Sequence, residues 1–289
     1  MAAKLAVKLH LDPCGIKNKG NTCFFNASIQ CLLSLPKIVR YFLDNSFDPT
    51  KQPFCLAFQN FIFEYKNNSK ILDPSDFIGK IRGKIRLFDG KQQDAHSFLD
   101  SFITKLCDEL DSSRDTKDSN IIKKALSISI EDKVKCQKCG FVSVVSSLPT
   151  MQYLSIKDSV QKSLNSYLEN EERVDESSPW KCTECSTRTA CPIVHSIKST
   201  SDYFVIYLNR FQSIISKNNT QITVDQNINI NDVKYEAIGM VCHSGMLDGG
   251  HYYAFCKRDK WMEYNDSLVQ PIERPEHSSS AYMIFYSRA

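Results

Sequence analysis

Gly15-Ile-Lys-Asn-Lys-Gly-Asn-Thr-Cys23-Phe-Phe-Asn-Ala-Ser-Ile-Gln-Cys-Leu-Leu-Ser-Leu-Pro36 is the stretch whose reading decides the fold. Its first half is polar and contains two glycines, the composition of a loop. Its second half places Phe24, Ala27, Ile29, Cys31 and Leu32 at spacings that suit a buried helix, expected to end near Pro36. Cys23 stands at the junction, so its sulfur is expected in the positive field of a helix start, where a thiol's pKa falls.

Further along, Phe54, Phe58, Phe61, Ile62 and Tyr65 form one apolar stripe, and Ala95, Phe98, Leu99, Phe102, Leu106 and Leu110 form a longer one. Both read as core-facing helices. Beyond residue 126 the period changes to two, at Ile128, Ile130 and Val134, at Val142 and Val144, from Tyr203 to Phe211 and from Tyr235 to His243. The second half is therefore expected to be mainly strands, with one more helix at 159–168 and a solvated acidic loop at 169–176. Helices first and strands later is an α+β pattern.

The chain has 289 residues, 42% of them hydrophobic, enough for a sizeable core in a single unit. Its net charge of +3 is spread over interspersed acids and bases, so nucleic acid is not expected as a partner. No run approaches the roughly 20 apolar residues that span a bilayer, so no membrane association is expected. Of the twelve cysteines, Cys136-Gln-Lys-Cys139 and Cys182-Thr-Glu-Cys185 make two Cys-x-x-Cys knuckles. Four thiolates are the donor set of a closed structural Zn2+ site, with no coordination position left for a catalytic water. Metal ligation and unpaired thiols imply a reducing compartment, cytoplasmic or nuclear.

Two late segments supply partners for Cys23. In Gly249-Gly-His-Tyr-Tyr-Ala-Phe-Cys256 a histidine opens an alternating strand behind two glycines, which are read as leaving room for a substrate chain. In Lys260-Trp-Met-Glu-Tyr-Asn-Asp266 an amide and a carboxylate end the next strand, as hairpin pairing with the histidine strand requires. An early Cys, a late His and an Asn or Asp soon after follow the chain order of papain-like proteases.

These blocks, with Gln92-Gln-Asp-Ala-His-Ser-Phe-Leu99 and Tyr203-Phe-Val-Ile-Tyr-Leu-Asn-Arg-Phe211, resemble the ubiquitin-specific protease family in order and spacing, from about residue 13 to 287. The resemblance implies a papain-like cysteine protease with a helical thumb (about 15–110), zinc-bearing β fingers (about 126–200) and a β palm (about 201–289). It implies Cys23 as nucleophile, His251 as base, Asn265 as the group orienting the imidazole, Asn18 as oxyanion donor and Asp266 as support. Gln93 and Asp94 match positions lining the ubiquitin tail, Gly249 and Gly250 a narrow channel for its terminal glycines, and Tyr252 part of the channel wall. Residues 211–222 and 243–250 are expected as bordering loops. Ser97 stands where the family usually has glutamate, and Lys19 where an apolar residue is common. The activity implied is a monomeric deubiquitinase, against which stand a ubiquitin-binding pseudoenzyme and a protease for a ubiquitin-like modifier.

Overall fold

α1 (Cys23–Leu32) is buried along its whole length. A helix apolar on every side must have packing on every side. Two of its polar side chains bond inside the core: Ser28 donates to the Phe24 carbonyl at 2.7 Å, and Gln30 donates to the Cys14 carbonyl at 2.8 Å. The computed structural model describes residues 11–68, 70–112, 120–169, 172–173, 179–213, 216–246 and 249–289.

Pro36 does more than stop α1, which has already ended at Leu32; it opens a second helix, α2 (Pro36–Asp44). A proline at the first helical position loses no hydrogen bond and has its φ preset. α3 (Pro53–Asn67) starts the same way, and its free Phe54 and Cys55 amides donate to the Glu109 carboxylate at 2.8 and 2.9 Å. α4 (Ser75–Ile81) is short, and α5 (Ala95–Ser112) supplies the second predicted stripe. Aromatic rings lock these helices together: Phe25 meets Phe61, Phe77, Phe88 and Phe98 at centroid separations of 6.1, 6.0, 5.8 and 5.5 Å. Three of these four contacts are edge-on, the geometry the ring quadrupole prefers.

The large sheet runs in the order Leu268–Pro271, Trp261–Asn265, Gly249–Lys257, Val233–Met246, Ala281–Arg288, Tyr203–Leu208, Gln152–Leu154, with Asn227–Ile230 paired to Val233–Met246 off this path. Tyr252, Ala254 and Cys256 face the helical core, while Phe204, Ile206, Ile284 and Tyr286 face a second core. α7 (Val160–Glu169) contributes to that second core through Val160 and Leu164. A separate four-stranded sheet, in the order Val142–Ser147, Ser129–Lys135, Pro192–Ser199, Glu172–Arg173, carries the Cys136–Cys139 knuckle at its end, and a two-stranded sheet, Trp180–Lys181 with Arg188–Thr189, carries the Cys182–Cys185 knuckle.

Several boundaries differ from those read off the sequence. α6 (Ile121–Leu126), past residue 110, packs on α2 and α5. Within 126–200, Gln152–Leu154 pairs in parallel with Tyr203–Leu208 and so belongs to the large sheet. In the acidic stretch 169–176, Glu172 and Arg173 pair with Ile193 and Pro192 as an edge strand; residues 170–171 and 174–176 lie outside the described residues. In the segments 211–222 and 243–250, Phe211–Ser213 pairs with Ser216–Lys217 and 243–246 pairs with 249–252, while residues 214–215 and 247–248 lie outside the described residues.

Candidate active site

Three elements converge at the start of α1. Cys23 is its first residue, His251 stands near the start of Gly249–Lys257, and Asn265 ends Trp261–Asn265, which pairs with the His251 strand. On one side His251 faces the Cys23 sulfur, which is the largest single influence on its protonation. On the other side its Nε2 lies 2.7 Å from Asn265 Oδ1, which can only accept, so Nε2 carries a proton. The Cys23 sulfur does most to favour the charged imidazole; partial burial opposes it, and Asn265 and Asp266 add to it, holding His251 up to about 9. Cys23 itself is 1% exposed, with the Gln92 Oε1 atom 4.0 Å from its sulfur.

Asp266 is placed differently from its neighbour. It sits in the two-residue turn joining Trp261–Asn265 to Leu268–Pro271, at φ 51°. Its Oδ2 accepts from Asn18 Nδ2 at 2.9 Å and its Oδ1 from Asn26 Nδ2 at 2.7 Å. Asn18 Oδ1 in turn accepts from the Gly20 and Thr22 amides at 3.0 and 3.1 Å, which folds the loop onto the helix start. Both ends of the Asn18 amide are thus pinned beside Cys23. Gly15 permits this: a Cβ there would lie 2.5 Å from the Ser267 carbonyl oxygen, so only glycine lets the loop touch the turn.

Asp94 caps α5 through the Ser97 amide at 2.7 Å, and it accepts from the hydroxyls of Tyr252, at 3.2 Å, and Tyr282. Gln93 donates to Asp89 at 2.8 Å. One expectation needs correcting here. Tyr252 is 2% exposed, so it lies beneath the surface as a support for Asp94 and is not a wall. Gly250 is also constrained from the interior, because a Cβ there would lie 2.0 Å from His243 Nε2; Gly249, by contrast, has nothing within 4 Å. His243 is a residue that sequence reading missed. It is 1% exposed, packs on Tyr252 with ring centroids 4.4 Å apart, and burial together with the Lys217 charge pushes it down to about 4. Its only sequence signal was the end of the alternating run from Tyr235. Asn26 and Gln92 were also missed, although both lie in the quoted blocks.

Cys136, Cys139, Cys182 and Cys185 bring four sulfurs within 4.8 Å of one another. Each knuckle is closed by the same turn: the Gly140 amide donates to the Cys136 carbonyl and the Ser186 amide to the Cys182 carbonyl, both at 3.0 Å, with φ positive at Gly140 and Ser186. The Cys136–Cys185 and Cys139–Cys182 sulfurs are 3.7 and 3.6 Å apart. A tetrahedron with metal–sulfur bonds of 2.3 Å has edges of about 3.8 Å, so the donor set fits such an ion.

A thiol at a helix start, an imidazole facing it, and an amide taking the imidazole's other N–H define the papain-like class of thiol site. The chain belongs to the ubiquitin carboxyl-terminal hydrolase family, whose family model matches residues 14–286. It is 28% identical over 325 residues to ubiquitin carboxyl-terminal hydrolase Usp2 of Drosophila melanogaster, covering 95% of this chain and 35% of that protein. It is 27% identical over 309 residues to ubiquitin carboxyl-terminal hydrolase 42 of Homo sapiens, covering 97% of this chain and 23% of that one. The chain thus spans about a third of the first and less than a quarter of the second. Its fold is shared with a solved SAGA DUB module containing Ubp8, bound to monoubiquitin, at a TM-score of 0.79 and 24% identity over 95% of this chain and 69% of that one. A related structure of that module bound to ubiquitin aldehyde matches at a TM-score of 0.76. Among the described residues, no helix is long and apolar enough to cross a membrane.

Proposed function

We propose that this chain is a thiol-dependent deubiquitinase that cleaves the isopeptide or peptide bond after the C-terminal glycine of ubiquitin. The observation that carries the reading is His251 held between the Cys23 sulfur and Asn265. The Cys23 sulfur attacks the glycine carbonyl carbon, and the oxygen that gains charge is met by the second N–H of Asn18. His251 gives its proton to the leaving amine, then takes one from the water that releases the acyl group. Asp94 and Gln93, at the start of α5, suit the basic tail of ubiquitin. Ubiquitin as substrate is supported by the family and by the ubiquitin-bound Ubp8 structures.

The four-cysteine cluster we assign to a structural zinc ion that holds the fingers sheet for gripping ubiquitin. Thumb, fingers and palm of one catalytic unit acting as a monomer in cytoplasm or nucleus complete the reading. The test is turnover of a fluorogenic ubiquitin amide: wild type cleaves it, and Cys23→Ala loses at least about 10⁴-fold in rate while still binding ubiquitin. Turnover by Cys23→Ala near the wild-type rate would remove the nucleophile. A parallel panel of ubiquitin-like amides, cleaved faster than ubiquitin, would change the substrate.

A further inference from the structure

Cys31 and Cys256 sit on the same two elements that carry Cys23 and His251, namely α1 and the Gly249–Lys257 strand. Both are fully buried, and their sulfurs lie 3.6 Å apart although the residues are 225 positions apart in the chain. Gly239 on the adjacent strand packs beside Cys31, where a Cβ built on it would stand in ordinary contact, 3.4 Å from the Cys31 sulfur. Neither thiol belongs to the metal cluster, and neither takes part in the proposed hydrolysis. We propose that Cys31 and Cys256 form a peroxide-oxidisable dithiol that closes into a disulfide between the Cys23 helix and the His251 strand.

The geometry and surroundings favour this chemistry. A disulfide requires sulfurs about 2.0 Å apart, so closure asks for an approach of roughly 1.6 Å. Arg258 lies two residues beyond Cys256, its guanidinium between the rings of Tyr65 and Tyr264 at 5.1 and 4.9 Å. It donates to the Tyr65 hydroxyl and to Gln30, which are neutral oxygens, so its charge also bears on the thiols. Burial opposes ionisation of Cys256, but the hydrogen bond with Cys31, the Arg258 charge and Ser34 outweigh it and leave the thiol below its ordinary range. Burial and the Cys256 sulfur push Cys31 well above that range. A cavity of about 390 Å³ is lined by Ser34, Lys257 and Arg258 among others, residues near the pair in the chain, while the two thiols themselves lie beneath the surface.

The Cys256 thiolate attacks one oxygen of hydrogen peroxide; an S–O bond forms, the O–O bond breaks, and the departing hydroxide is protonated to water. The Cys31 sulfur then attacks the Cys256 sulfur; the S–S bond forms, the S–OH bond breaks, and hydroxide leaves with the Cys31 proton as a second water. Two thiols lose two electrons and one peroxide becomes two waters.

This proposal stands apart from the hydrolytic reading, and its test uses the full chain carrying Cys23→Ala, which removes the other thiol of the same tryptic peptide. After hydrogen peroxide treatment and alkylation, non-reducing peptide mapping is expected to show residues 20–37 joined to residues 235–257, and a thiol reductant to separate them. The second peptide also holds Cys242, so Cys256→Ser is added, and Cys31→Ser in a separate protein, each checked for an unchanged circular dichroism spectrum. Either change should lower the joined species at least tenfold. The proposal is overturned if both thiols remain alkylatable after peroxide, or if the join persists in Cys256→Ser at the parent yield.

Discussion

Asn265 and Asp266 are adjacent in the chain but serve different atoms, and the reason is backbone geometry: Asn265 is the last strand residue and Asp266 the first of the turn. Asn265→Ala should lower kcat by about tenfold to a hundredfold, less than the ~10⁴ lost with an anionic third member, because a neutral amide orients the ring without neutralising it. Asp266→Ala should act through Asn18, lowering kcat by at most the 10²–10³ of one lost oxyanion donor. Alkylation of Cys23 needs no oxyanion hole. Its rate at low pH should survive in Asp266→Ala and fall in Asn265→Ala; the reverse pattern would make the carboxylate the third member. The pH profile adds a sign. The folded His251 binds its proton up to about 9, above its ordinary 6.5, so stability from this site is complete below about 6.5 and is lost as pH rises through about 9. Turnover should fall over the same alkaline limb, since His251 then lacks the proton for the leaving amine, and Asn265→Ala should move that limb to lower pH.

At the scale of elements, the His251 strand is held from behind by a buried histidine. Gly250→Ala forces a methyl to within 2.0 Å of His243 Nε2, and that ring is wedged against Tyr252 with centroids 4.4 Å apart. The substitution should cost about 1–3 kcal/mol, the usual penalty of overpacking, and lower the melting temperature by several degrees. Adding His243→Ala makes room for the methyl, so the double variant should lose less than the two single losses summed. The sequence offered half of this pair: Gly250 was conspicuous beside His251, but its partner lies on a neighbouring strand and is found only by register. The same holds elsewhere. The helices at Pro53–Asn67 and Ala95–Ser112 were legible because periodicity is local. Gln152–Leu154 was not, because three residues carry no pattern and their parallel pairing with Tyr203–Leu208 spans some fifty positions. Around the site, Cys23, His251 and Asn265 stood out by residue type and chain order. The carboxylate clamp of Asp266 on Asn18 and Asn26 spans more than two hundred residues, and no spacing rule reaches that far.

Across the whole molecule, the reactive groups and the cysteine cluster belong to separate sheets, and this separation makes the metal's role testable. Cys23 and His251 rest between the helical core and the large sheet, with Tyr252, Ala254 and Cys256 buried beneath them. One knuckle ends the four-stranded sheet and the other the small Trp180–Lys181 and Arg188–Thr189 sheet; the outer strand of the former leaves Val142, Val144 and Val145 largely exposed, so little apolar burial holds it in register. A four-thiolate ion contributes its binding free energy directly to such a region. Removing the ion with a chelator, or replacing Cys182 with Ser, should therefore unravel the fingers and leave the Cys23 pocket standing. Metal analysis of protein purified without chelator should give one zinc per chain, and Cys182→Ser should give none. For the ubiquitin amide, the metal-free protein should show a KM raised tenfold or more, since only the intact substrate reaches the fingers. The alkylation rate of Cys23 by a small reagent should change by less than twofold, because that reaction touches the helix start alone. Equal loss of both rates would mean that the metal supports the large sheet as well, and the two-part architecture would have to be redrawn as one cooperative unit.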